Sequence, residues 1–249
     1  MIEVNELRKA FGPILAVDGV SFAAGRGDVL GFLGPNGAGK STTMRMLSCF
    51  LPPDGGTAVI CGSDIVAESV AVRRNVGYLA ENVPAYDEMT TEAFLKFVCD
   101  ARSISGKART DAIGNMADSC ALHGVMHQPI GTLSKGYRRR VGLAQALIHD
   151  PPVLILDEPT DGLDPNQKFE IRQLIKRLAA EKCIVVSTHI LEEVDAICNR
   201  MIIIDRGRIK VDSTPDKLRE EVGGSLEEIF RKLTTQPEAE MAGVAGGAR

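Results

Sequence analysis

Apolar runs of strand length fill the opening third of the chain: IEVNELRKAF, AVDGVSFAA and DVLGFLG. A glycine-rich turn follows, then a helical stretch, STTMRMLSCFL, and PPDGG marks a turn before two short strands, TAVICG and NVGYLA. Beyond about residue 86 the period changes. TTEAFLKFVCDARSIS places apolar side chains at 94, 97, 98 and 101, a helical spacing, with Thr90 and Thr91 as candidate caps. DAIGNMADSCALHGVM and YRRRVGLAQALIHD read as helices too. Strands return as VLILD, CIVVS, MIIID and RIKV, with the helical FEIRQLIKRLAA between the first two. Continuous apolar strands alternating with helices predict a parallel sheet buried on both faces. The fold class is therefore α/β, with a mainly helical insertion at residues 86–150.

Composition narrows the picture. A chain of 249 residues is long enough to bury a full core. Its 29 Lys and Arg against 33 Asp and Glu give a net charge of −4, the wrong sign for a protein that coats nucleic acid. The first residues, MIEVNELRKAFG, carry charges where a secretory leader needs an apolar stretch, and no apolar run has the length of a membrane span. The six cysteines (49, 61, 99, 120, 183 and 198) include no CxxC pair and sit in apolar sequence. The expectation is a chain soluble by itself, with reduced and mostly buried thiols in a cytosolic setting.

Residues 34–41 read GPNGAGKS and match G-x-x-x-x-G-K-[ST], between the strand DVLGFL and a helix. Glycines let the backbone curl so that successive N–H groups of Gly34, Pro35's successor Asn36, Gly37, Ala38 and Gly39 point inward, and the helix N-terminus adds partial positive charge. Lys40 is placed to reach the β- and γ-phosphates of a nucleotide, the Ser41 hydroxyl to ligate Mg²⁺, and Thr42 lies beside them in the helix's first turn. Downstream, VLILDEPT ends an apolar strand with Asp157 and Glu158 at the carboxyl edge of the sheet, where open α/β folds bind ligands. Asp157 suits the Mg²⁺ site, and Glu158 suits a base for an attacking water. These residues predict nucleotide binding with hydrolysis.

LSKGYRRR, residues 133–140, opens another helix with a serine at its N-cap, a glycine and four cations. Successive helical residues lie about 100° apart, so the arginines fan around the helix instead of forming a stripe along a duplex. Tyr137, Val141, Ala144 and Ile148 repeat at helical spacing and predict packing on a core. Serine, helix terminus and cations together suit a compact phosphate.

The same stretch resembles LSGGQ, the signature of ABC ATPases, and stands 23 residues before Asp157. The family's other elements follow in order: Phe11 before Gly12, the P-loop, GYLAEN at 77–82, DGLDP at 161–165 and STH ending in His189. The resemblance covers residues 2–222 and implies a P-loop NTPase core with a parallel sheet, an N-terminal antiparallel β portion and an inserted helical subdomain. It implies one ABC ATPase domain at 1–222, followed at 223–249 by a C-terminal helix and an Ala/Gly-rich disordered tail. It further implies an ATP-hydrolysing subunit that pairs head-to-tail around two ATP molecules with Mg²⁺. Each ATP then lies between one P-loop and Ser134, Lys135 and Gly136 of the other copy. Phe11 stacks on adenine, Asp164 links the sites, His189 holds the γ-phosphate near the attacking water, and Glu81 joins Ser41 and Asp157 at the metal. Glu81 stands where most of the family has glutamine, and Lys135 replaces a glycine of the signature.

The likeness is to the exporter branch, with a separate integral membrane permease as partner, no nucleic acid, and a peripheral location on the cytoplasmic side of the inner membrane. The alternative is a soluble ABC ATPase acting on ribosomes or DNA; such proteins commonly carry two ATPase domains or long coiled-coil insertions, which this sequence lacks. Cys120, His123 and His127 share a helical spacing with metal ligands, but Cys120 continues an apolar stripe with Ile113, Met116 and Ala117, so packing is the expected role.

Overall fold

The computed structural model describes residues 1–222 and 225–235. In chain order the strands are β1 (Ile2–Phe11), β2 (Ile14–Ala24), β3 (Val29–Leu33), β4 (Gly55–Ile60), β5 (Ser63–Asp64), β6 (Val76–Leu79), β7 (Val153–Asp157), β8 (Cys183–Thr188), β9 (Arg200–Asp205) and β10 (Arg208–Ser213). The helices are α1 (Lys40–Leu47), α2 (Ser69–Asn75), α3 (Thr91–Ala101), α4 (Gly106–Ser119), α5 (Lys135–Leu147), α6 (Pro165–Ala179), α7 (Leu191–Ile197), α8 (Pro215–Val222) and α9 (Leu226–Thr235).

Two sheets share the work. A four-stranded antiparallel sheet runs β2-β1-β4-β5, and a six-stranded sheet runs β10-β9-β3-β8-β7-β6. In the larger sheet every pairing from β9 to β6 is parallel, and only the β9–β10 hairpin is antiparallel. Every residue of β3, β7 and β8 is buried, which is why these strands read as unbroken apolar runs. The α/β class with an antiparallel N-terminal portion is therefore what the chain adopts.

One core lies between the sheets and around α1, where Phe22 and Phe32 meet at 5.3 Å between ring centroids. A second packs α3, α4 and α5 against the other face of the large sheet through Phe94, Leu95, Val141 and Leu156. Phe94 is fully enclosed there, and truncating such a side chain to alanine typically costs about 3–5 kcal/mol. A third joins Leu33, Met201 and Ile203 to Leu218, Leu226 and Ile229, so α8 and α9 pack on the sheet as well. The tail from residue 236 onward lies outside the described residues.

Thr90 caps α3, its hydroxyl accepting from the Ala93 amide at 3.2 Å, while Thr91 is buried one position inside. α4 ends earlier than its apolar spacing predicts, because Ala121 turns into the left-handed region and only a short helical turn, residues 123–125, follows. Cys120 is buried at that end, whereas His123 pairs with Asp118 at 2.7 Å and His127 with Glu92 at 3.4 Å. α2 and α7, seven residues each, were not expected from the sequence. Two turns of helix are too short to show a hydrophobic period over the window that such a reading needs.

His149 follows α5 and accounts for one pH-dependent contribution to stability. Its Nε2 lies 3.2 Å from the Val76 carbonyl, while Nδ1 is buried without a partner. Burial, reinforced by the Arg102 guanidinium, pushes the imidazole down to about 4. A folded-state value below the unfolded one means that the contribution is complete above the ordinary histidine value near ~6.5 and is lost as pH falls toward 4. In urea titrations, the unfolding midpoint of the parent is expected to fall more steeply between pH 6.5 and pH 5 than that of His149→Asn. Parallel slopes would overturn the assignment.

Candidate nucleotide-binding site

Parallel strands bring their carboxyl ends to one edge, and four of the loops leaving that edge carry the residues singled out above. The P-loop follows β3, Glu81 follows β6, Asp157 and Glu158 close β7, and His189 follows β8. Between them and the antiparallel sheet lies a cleft of about 690 Å³, lined by Phe11, Asn36, Gly37, Gly39, Lys40, Ser41, Thr42, Glu81, Glu158 and His189. Ile14, Ala16 and Asp161 line it too. Ile14 and Ala16 were not singled out in the sequence, since nothing in a β2 residue's type reveals that the second sheet folds over the P-loop. Phe11 is 48% exposed at the end of β1, and the Lys9 ammonium lies 5.9 Å from its ring centroid.

The P-loop geometry needs its glycines. Gly39 has φ +103, and a side chain there would begin 2.4 Å from the Ala16 carbonyl; one at Gly34 would begin 2.3 Å from the Ile204 carbonyl. Gly39 is the N-cap of α1, with no side chain capping it and no acid in its first turn, so the helix end keeps its affinity for an anion. Pro35 bends the loop, its carbonyl accepting from Ala38, which is itself buried.

Lys40 is buried and donates to the Gly34 carbonyl at 2.7 Å and the Pro35 carbonyl at 3.2 Å. Its ammonium stands 3.8 Å from Glu158 Oε1. Burial pulls the Lys40 value down, against the carboxylates of Glu158, Asp157 and Glu81, which hold it up. Glu158 Oε2 meets His189 Nδ1 at 3.0 Å. Glu158 itself sits at φ 50, a left-handed conformation rare outside glycine, which costs about 1–3 kcal/mol and must be held by its surroundings.

Asp157 is fully buried. Its Oδ1 accepts from Ser41 Oγ at 3.1 Å and from Ser187 Oγ, while Oδ2 is buried and has no hydrogen-bond partner. Ser187 also accepts from the Glu158 amide at 3.1 Å, so it joins β7 to β8 under the site. Deeper in, Glu193 accepts from Thr188 Oγ1 at 2.8 Å and from Thr160 Oγ1, and burial pushes its carboxyl up. Ser187 was visible in the sequence only as part of STH; Glu193 carried no signal at all. An unpartnered buried carboxylate oxygen beside a serine hydroxyl, with Glu81 also lining the cleft, is an all-oxygen donor set of the kind a hard divalent cation takes.

The signature residues lie elsewhere. Ser134 caps α5 by accepting from the Tyr137 amide at 3.3 Å. Lys135 pairs with Asp161 at 2.9 Å and holds that carboxyl below its usual range. Gly136 abuts Gln167 so closely that a side chain would start 2.2 Å from its amide oxygen. Asp164 caps α6, accepting from Asn166 and Gln167 amides at 2.9 and 3.0 Å. None of these four lines the cleft of its own chain.

The arginines of the stretch read as suiting a compact phosphate have partners within the chain. Arg138 pairs with Asp87 at 3.1 Å, Arg140 with Glu170, and Arg139 is buried among main-chain carbonyls. The cations were fanned around the helix as expected, but each meets a partner within the chain.

Fold and site together define a P-loop nucleotide-binding protein. The family model described as ABC transporter matches residues 17–161, and the chain belongs to that family. It is 35% identical over 240 residues to the probable multidrug ABC transporter ATP-binding protein YbhF of Escherichia coli, covering 94% of this chain but only 41% of that one. It is 37% identical to the doxorubicin resistance ATP-binding protein DrrA of Mycobacterium tuberculosis and 35% to the Nod factor export ATP-binding protein I of a Rhizobium species. Those two alignments cover 92% of this chain, and 70% and 76% of the relatives. The solved ATP-binding subunit of an ABC transporter superposes with a TM-score of 0.86 at 28% identity, over 95% of this chain and 100% of that one. A dimeric bacterial ABC transporter cassette gives 0.80 at 24% identity, over 86% and 98%.

Two glycines separate the loop's requirement from general helix energetics. Gly39→Ala is expected to lower the melting temperature and abolish ATP binding in isothermal titration. Gly114→Ala in α4, where a side chain meets nothing within 4 Å, is expected to stabilise by roughly 0.5–1 kcal/mol with binding unchanged. Normal ATP affinity in Gly39→Ala would refute the close-approach argument.

Proposed function

We propose that this chain is the ATP-hydrolysing subunit of an exporter, working as a head-to-tail pair that drives a separate membrane permease. The observation that carries the reading is Glu158, whose two carboxylate oxygens face Lys40 at 3.8 Å and His189 at 3.0 Å on the rim of the P-loop cleft. Lys40 and the amides at the start of α1 bind the phosphates, and Phe11 with Ile14 offers adenine an apolar platform. Ser41, Asp157 and Glu81 would hold Mg²⁺, which when bound neutralises phosphate charge. Glu158 takes the proton of the attacking water, and His189 orients both the carboxylate and the water.

Pairing follows from placement. Ser134, Lys135 and Gly136 form a helix N-terminus that does not line its own cleft, so a second copy related by a two-fold axis supplies the phosphate they bind. Asp164, at the start of α6 beside them, lies at that junction. The dimeric cassette that this chain resembles supports such an arrangement. The export reading draws on the names of the multidrug, doxorubicin and Nod factor relatives. No helix among the described residues is long and apolar enough to cross a membrane, in keeping with a pore built by another chain. Tyr86 and Phe97 stack edge-on at 5.6 Å, both about half exposed, beside the segment that follows Glu81. That surface suits a permease helix.

Replacing Glu158 by Gln is expected to leave ATP binding intact, reduce turnover by about 10²-fold or more, and accumulate an ATP-bound dimer in size-exclusion chromatography. Parental turnover in that variant would remove Glu158 as the base. Lys40→Ala is expected to weaken ATP affinity by about tenfold or more in titration calorimetry, and unchanged affinity would count against the phosphate role. For the partner, the tagged chain recovered from membranes in mild detergent should bring a multi-span protein with it. Recovery only with ribosomal or DNA-bound proteins would replace export with the alternative.

A further inference from the structure

Arg139 uses all of its hydrogen-bonding capacity on the backbone of the candidate site. A guanidinium has five N–H donors, and here each meets a main-chain carbonyl. Nε donates to Pro159 at 3.2 Å, Nη1 to Ala80 at 2.8 Å and Glu81 at 2.7 Å, and Nη2 to Asp157 at 2.5 Å and to Glu158. The side chain is 4% exposed. It springs from α5, five residues past the Ser134 cap, and reaches the ends of both β6 and β7.

We infer that Arg139 is a positioning residue that locks the base Glu158 and the metal ligand Glu81 to the signature helix of the same chain. This rests on the ATPase reading above for the roles of those two side chains. Glu158 holds a left-handed φ of 50, and the bond from Arg139 to its carbonyl fixes the peptide that follows. The carbonyls of Ala80 and Glu81 share one nitrogen of the same rigid plane, so a shift of α5 displaces both carboxylate-bearing segments together. The flanking Arg138 and Arg140 hold Asp87 and Glu170 and carry no such link. In a head-to-tail pair, the Ser134 end of α5 feels the partner's nucleotide, and Arg139 passes that contact to the chain's own base. The two ATP sites are thereby coupled, with Arg139 the link that reaches both Glu158 and the segment of Glu81.

The test compares the parent with Arg139→Lys and Arg139→Gln in steady-state ATP hydrolysis, with melting curves recorded for each. Lysine keeps the charge but has three donors on one atom and cannot span five carbonyls. In a folded Arg139→Lys chain, kcat should fall by about tenfold or more, KM for ATP should stay within about twofold, and the Hill coefficient should drop toward 1. A variant with parental kcat and Hill coefficient overturns the inference, as does one in which only KM moves. Should neither variant fold, hydrogen exchange of the parent chain in low urea decides: the segments 79–82, 135–141 and 157–160 should open at one common midpoint. Separate midpoints overturn the lock. A parent without ATP turnover defeats the ATPase reading instead, and the same exchange midpoints then decide whether the lock stands.

Discussion

The parallel register of β3, β7 and β8 is the constraint on which the rest depends. Leu33 pairs with Thr188 across one interface and Asp157 with Ser187 across the next, so three strands end at the same level. Because the strands are parallel, all three carboxyl ends emerge on one edge, and the P-loop, the Asp157–Glu158 pair and His189 are delivered to one place. A slip of a single residue in β7 would exchange the faces of its side chains, putting Asp157 where Leu156 belongs and Glu158 where Asp157 belongs. The complete burial of these strands specifies the register, since a shift would change which side chains meet each core.

Charge at that edge is arranged in a low-dielectric setting, where each group depends on its neighbours. Lys40 and Glu158 are both buried, and each lies within reach of the other. Ser41 and Ser187 satisfy one oxygen of Asp157 and leave the other unpartnered. Glu193 is enclosed with two threonine hydroxyls as partners. Isolated buried charges of this kind are costly, and a polyanion with its cation would complete a set that is otherwise only partly matched.

The helical subdomain is joined to this edge by more than packing. α3, α4 and α5 share a core with one face of the large sheet, but polar contacts determine how α5 sits. Lys135 to Asp161, Arg139 to the ends of β6 and β7, and Arg140 to Glu170 each cross from α5 to the P-loop core. Such directional contacts hold a helix in one orientation, whereas an apolar interface alone tolerates sliding. The arginine-rich look of LSKGYRRR is thus explained by attachment within the chain.

The sequence alone determined the α/β class, the strand–loop–helix order around GPNGAGKS, the acidic end of VLILDEPT and the family resemblance. Each of these is carried by local spacing or by residue types next to one another in the chain, which a linear reading captures. Tertiary structure alone decided the rest. That Ile14 and Ala16 wall the cleft follows from how one sheet folds over the other. That Ser134–Gly136 do not line the cleft of their own chain follows from where the subdomain docks. α2 and α7 escaped notice because seven residues hold too few turns to show a period. The partners of Arg138, Arg139 and Arg140 were invisible for the same physical reason as Glu193: a charge's role is set by what lies within a few ångströms of it, and those neighbours lie as far as 59 residues away in the chain.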